Sequence, residues 1–98
     1  MINAVGLAAV TGSTGASIAA EGCVSARTGT GVYTLTLSDQ AATKNSNTAC
    51  IATLVGTSGI VRVEETSTTV KTVKCFAVDG TTATDLDFNA VIFRDSPI

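Results

Sequence analysis

Apolar and polar residues alternate with a period of two along most of this chain. The clearest run is VYTLTL, Val32 to Leu37. Tyr33, Leu35 and Leu37 fall on one side and Val32, Thr34 and Thr36 on the other, as in an antiparallel strand with one buried face. The same period predicts strands over Ile2 to Val10, Ile18 to Ala20, Cys23 to Arg27, Thr48 to Val55, Ile60 to Glu64, Val70 to Val78 and Phe88 to Arg94. Turn chemistry separates them: TGSTG at Thr11 to Gly15, TGTG at Thr28 to Gly31, GTSG at Gly56 to Gly59, and Asp79-Gly80. In Ile60 to Glu64, Ile60, Arg62 and Glu64 face away from Val61 and Val63; in Val70 to Val78, Thr72, Lys74, Phe76 and Val78 oppose Val73, Cys75 and Ala77.

About eight short strands at this spacing predict an all-β fold, an antiparallel β-sandwich or jelly roll. The last strand is apolar on both faces, with Phe88, Ala90 and Ile92 opposing Asn89, Val91 and Phe93. Such a strand lies centrally, or turns one face to another subunit. Ser38 to Asn47 (SDQAATKNSN) is the longest polar stretch and reads as an exposed loop with room for a helical turn. Helix content is expected below ~10%.

The 98 residues make a single domain, 1–98, in which residues 1–20 form either an N-terminal arm that adds a strand to a neighbour or an ordinary first strand. Composition thins the expected core. There is no tryptophan, one tyrosine and three phenylalanines, and much of the apolar fraction is Ala and Val, which bury little area each. A core of small side chains gains from burial against partner subunits. Net charge is −2 and the six Lys and Arg are scattered, so no concentrated positive footprint for nucleic acid exists.

Candidate chemistry is sparse. Without histidine, the commonest general base and metal ligand is absent, and a Ser–His or Cys–His nucleophile is excluded within one chain. The residues therefore point to no enzyme, catalytic group, cofactor or metal site. Glu64 and Glu65 diverge to opposite faces of a strand end, which reads as a solvated edge. Asp79, Asp85 and Asp87 in DGTTATDLD carry hard oxygen ligands suited to Ca²⁺, but EF-hand spacing is missing and Asp-Gly is ordinary turn chemistry. TGSTG and TGTG lack the lysine and long helix of a phosphate loop. Tyr33 and the phenylalanines read as core in preference to a stacking surface.

Cys23, Cys50 and Cys75 are odd in number and match no zinc spacing. Three reduced thiols acting as small hydrophobes are expected, ahead of one disulfide with a spare thiol. The first residues lack a positive region and carry Gly6 within a short apolar run, so neither a secretory leader nor a membrane span is expected.

Arg27 to Leu37 (RTGTGVYTLTL), with Gly59 to Val63, Phe76 to Gly80 and Asp85 to Arg94, resembles the grammar of small β-rich virion proteins of tailed bacteriophages. Similar patterns occur in head decoration (cement) proteins, in trimeric jelly-roll domains of fibre tips and, more distantly, in C1q-like domains. The likeness covers roughly residues 20 to 95. Since β-pattern begins almost at Met1, with no stretch for a shaft or anchor, the resemblance implies a head decoration protein. It would assemble in the host cytoplasm, reside on the capsid surface, and bind between major capsid protein subunits as a homotrimer without nucleic acid or membrane. The runner-up is a receptor-binding tip module recognising host glycan or protein, with Tyr33 and Ser38 to Asn47 as its groove. Ile2, Val5, Leu7, Val91 and Phe93 are the candidate residues for the subunit or capsid interface.

Overall fold

A computed structural model describes residues 2–38 and 48–95, and the side chains of 4–38 and 48–94. Eight strands run in chain order: β1 Ile2–Val10, β2 Ser17–Glu21, β3 Cys23–Gly29, β4 Val32–Leu37, β5 Thr48–Leu54, β6 Ile60–Glu64, β7 Val70–Phe76 and β8 Phe88–Asp95. No described residue is helical. The strands form two four-stranded antiparallel sheets, ordered β2-β1-β8-β5 and β3-β4-β7-β6, packed as a β-sandwich. The all-β sandwich expected from the alternation is present. Most of the stretch expected as a long polar loop, residues 39–47, lies outside the described residues.

Alternation decides which side chains meet between the sheets. Tyr33, Leu35 and Leu37 of β4 and Val73 and Cys75 of β7 meet Ala8, Val10, Phe88, Ala90 and Ile92 of β1 and β8. Val61 and Val63 of β6 pack against this core, as their parity requires. The Tyr33 and Phe88 rings sit 5.1 Å apart at 58°, giving the core its one aromatic pair among the described residues. The doubly apolar β8 is central, hydrogen-bonded to β1 on one side and β5 on the other. Residues 2–10 are a strand of this sheet, paired with β8 along their length.

The chain passes from one sheet to the other at Gly22, between β2 and β3. Its φ of 72° lies in the left-handed region, and an added Cβ would run into the Val5 carbonyl. A bulge at Val5 shifts β1 by one residue: Ala4 opposes Phe93 and Gly6 opposes Ile92. Ala4 therefore faces outward and Gly6 inward, while Val5 packs on the core.

Candidate functional site

Three groups of residues attract functional readings: the loop aspartates, a buried lysine, and the outer faces of the two sheets.

The aspartates do not converge. Asp85 accepts hydrogen bonds from Arg27 Nε at 3.1 Å and Nη2 at 3.0 Å, from the Gly31 amide at 2.7 Å and from the Tyr33 hydroxyl at 3.1 Å. Tyr33 Oη also lies 2.7 Å from the Gly12 carbonyl. Asp87 accepts from the Gly12 amide at 2.8 Å. Asp79 closes its own turn, accepting from the Thr81 and Thr82 amides and the Thr82 hydroxyl. Those bonds, that of the Thr82 hydroxyl foremost, pull the Asp79 carboxyl down to about 2. Arg27, then the Gly31 amide, holds the Asp85 carboxyl below the usual range. Burial, reinforced by the Asp85 carboxylate, pushes the Tyr33 phenol well up. The Asp85 and Asp87 carboxylates serve as clasps that tie the β1–β2, β3–β4 and β7–β8 connections together. No described cluster of three or more His, Cys, Asp or Glu has a geometry suited to a metal ion.

Lys71 was not singled out by the alternation, yet it points into the sandwich from β7 and is 1% exposed. Its ammonium donates to the Thr48 carbonyl at 3.2 Å and the Ser67 carbonyl at 2.8 Å, and pairs with Glu65 at 2.6 Å. Glu65 also accepts from the Cys50 amide at 3.0 Å. Burial alone would raise the Glu65 carboxyl; the Lys71 hydrogen bond, the Cys50 amide and the Lys71 charge outweigh it and hold it low. Glu64, on the opposite face, pairs with Lys74 at 3.1 Å. The two glutamates diverge as their strand position requires, but each is engaged by a cation.

Cys23, Cys50 and Cys75 are free and buried. Burial pushes the thiols of Cys50 and Cys75 up to about 11, the opposite of an activated nucleophile.

The outer faces differ sharply. On β3-β4-β7-β6, cross-strand rows read Val24–Thr36–Val70, Ala26–Thr34–Thr72–Glu64, Val32–Lys74–Arg62 and the pair Phe76–Ile60. Threonines and paired charges fill the middle rows, and Arg62 lies over the Phe76 ring at 5.2 Å. On β2-β1-β8-β5 the rows read Ala19–Ala9–Asn89–Thr53, Glu21–Leu7–Val91–Ile51 and Ala4–Phe93–Ala49. Glu21, at the β2 edge, is the only charge in these three rows. Leu7 is 47% and Ile51 65% exposed, and Val91 and Phe93 are half-buried by their neighbours. A face this apolar on a sheet that has water on that side is unusual for a lone domain.

Of the five residues expected at an interface, Leu7, Val91 and Phe93 come together on this face. Val5 stays out of the exposed rows, since the bulge packs it on the core, and only lines the notch beside Glu21 at the β2 edge. The Ile2 side chain lies outside the described set, though its backbone pairs with Asp95. Ile51 and the alanines of the face were missed, because TACIATL is apolar at both parities and only the Cys50–Ile92 pairing shows which side is buried. Tyr33, one of the two places suggested for a recognition groove, is fully buried and unavailable to a glycan. Ser38 is exposed, and the rest of the suggested groove lies outside the described residues.

Compared with protein-family profiles, curated proteins and solved structures, the chain matches none.

Proposed function

We propose that this chain is a structural virion protein that decorates a phage head, acting by docking onto copies of itself and onto the shell rather than by chemistry. The observation that carries the docking part is the uncovered row Leu7–Val91–Ile51 across three adjacent strands. Its opposite number on the other sheet is threonine-rich and charged, as a wetted surface should be. Covering the apolar row returns roughly 25 cal/mol per Å² to a core built from small side chains. The phage-head part rests on the resemblance of Arg27 to Leu37, Gly59 to Val63, Phe76 to Gly80 and Asp85 to Arg94 to small β-rich phage virion proteins, decoration proteins among them.

A non-catalytic role fits the state of the polar groups. The oxygens of Asp79, Asp85 and Glu65 are engaged by protein donors, and the Cys50 and Cys75 thiols are held protonated. The burial of Tyr33 removes the aromatic half of the receptor-binding alternative.

The experiment is co-sedimentation of the purified protein with undecorated phage head shells, beside a glycan array. Saturable binding to shells with no glycan signal is the expected result. Glycan binding without affinity for any shell would overturn it.

A further inference from the structure

The apolar face of β2-β1-β8-β5 has a knob at one edge and a notch at the other. Ile51, a large apolar side chain that is 65% exposed, stands on edge strand β5, at one end of the row Glu21–Leu7–Val91–Ile51. At the far end of that row lies a notch of about 310 Å³, lined by Ala4, Val5, Gly6, Leu7, Glu21 and Gly22. It opens where β2 stops pairing with β1 at Leu7 and the chain departs through Gly22.

We infer that this face binds a second copy of the same chain about a two-fold axis parallel to the strands, with Ile51 of each copy seated in the other's notch. The inference rests on the reading of this face as a docking surface and names its occupant. Sheets that pack face to face keep their strands aligned within about 30°. A two-fold axis in the interface plane and along the strands lays β5 of one copy over β2 of the other. Each cross-strand row then stays level with its own counterpart, so the knob falls on the notch, and does so twice.

Charge fits the same occupant. An isologous contact brings each residue near the axis against its own copy, so a charge there would meet itself. The middle of this face is Leu7 and Val91, and Glu21 stands at the rim. The other sheet carries Lys74 and Arg62 side by side and would not suit such a pairing. A ring of three, as the resemblance implies, needs two different complementary surfaces on every subunit, whereas a pair needs one that complements itself. The described residues present one broad apolar sheet face.

Four strands at ~4.8 Å spacing and about six residues at ~3.3 Å give a footprint of roughly 400 Å² per copy. That is about half of the ~800 Å² per partner in a standard interface. The pair is therefore weak, forming at micromolar to millimolar concentration.

Sedimentation equilibrium on the full chain across that range tests the inference with three proteins: the natural one, Ile51→Glu, and Ile51→Glu with Glu21→Lys. Both positions are exposed, and an unchanged thermal midpoint checks that each variant folds. The natural protein should dimerise. Ile51→Glu, which sets a carboxylate against the partner's Glu21, should weaken association at least tenfold, and the added Glu21→Lys should restore it. A natural protein that stays monomeric to about 1 mM, or forms trimers, overturns the inference. So does an Ile51→Glu variant that dimerises undiminished, or a double variant that stays monomeric. Shell binding, measured separately, reports on the decoration role whatever the pairing does.

Discussion

Leu7 and Val91 stand directly opposite each other on neighbouring strands, and both turn their side chains away from the core. Each is flanked on its own strand by inward residues, Gly6 and Ala8 in one case, Ala90 and Ile92 in the other. The same two strands therefore build the core with one face and leave an apolar surface on the other. If that surface serves docking, Leu7→Lys should leave folding nearly intact. Its unfolding free energy should move by no more than about 0.5 kcal/mol, as for ordinary surface changes, while self-association and shell binding drop severalfold. Chemical denaturation and sedimentation read the two effects apart.

Tyr33→Phe tests the clasp across the connections. The ring stays packed on Phe88, but the hydroxyl that joins Asp85 to the Gly12 carbonyl is gone. Leaving a buried acceptor without its donor should cost about 1 kcal/mol, read as a lower denaturant midpoint with an unchanged slope. Asp85→Ala should cost more than Tyr33→Phe, because the Gly31 amide and the Arg27 guanidinium lose their partner as well.

Glu65→Ala leaves the Lys71 ammonium between the sheets without its counter-charge. Losing one partner of a fully buried pair costs ~3–5 kcal/mol. Glu65 is 46% exposed, so solvent screens part of that and about 2 kcal/mol is expected. Lys71→Met keeps the aliphatic stem in the core and releases Glu65 to water, so it should cost less than Glu65→Ala. Equilibrium urea unfolding of the two variants decides the order.

Acid should destabilise the fold through Asp79, Asp85 and Glu65. All three carboxyls titrate lower in the folded chain than they would unfolded. Their contribution is therefore complete above the unfolded carboxylate range and is lost as pH falls through the folded values, from about 4.5 toward about 2. Cys50 and Cys75 are shifted the other way, and their contribution is lost as pH rises from about 9 toward 11, with that of Tyr33 following from about 10 upward. The urea midpoint should be flat between pH 5 and pH 8 to within about 10% and fall on either side. Asp85→Asn should flatten the acid limb.

The thiols should be silent in the native state. With folded values of about 11, Cys50 and Cys75 hold on the order of 10⁻⁴ of their population as thiolate at pH 7. Iodoacetamide should label three cysteines in urea and none on the native protein over an hour, as counted by intact mass.

The strand pattern was legible because residues such as Tyr33, Leu35 and Leu37 alternate cleanly with threonines, so each strand declares its own buried face. The all-β sandwich follows from that, whereas β8, apolar on both faces, left a central place and a subunit contact both open until its pairing with β1 and β5 showed it central. Lys71 was not legible: its inward parity is plain only in retrospect, since its partners are Glu65 and the carbonyls of Ser67 and Thr48, supplied by a loop and by another strand. The Asp85 clasp reaches back 52 positions to Tyr33 and was hidden for the same reason. The apolar face was half legible. Leu7, Val91 and Phe93 stood out in their own strands, whereas Ile51 lay in a strand apolar on both sides, and Val5 was displaced by a bulge that no local pattern announces.

Hydroxyl-radical footprinting tests the central claim most directly, comparing dilute protein with concentrated protein and with protein bound to shells. The account predicts that oxidation of Leu7, Ile51 and Val91 falls severalfold on assembly while Val24, Val32 and Phe76 on the other sheet keep their rates. Undiminished labelling of Leu7 and Ile51 in every state, or protection confined to the threonine-rich face, would contradict it.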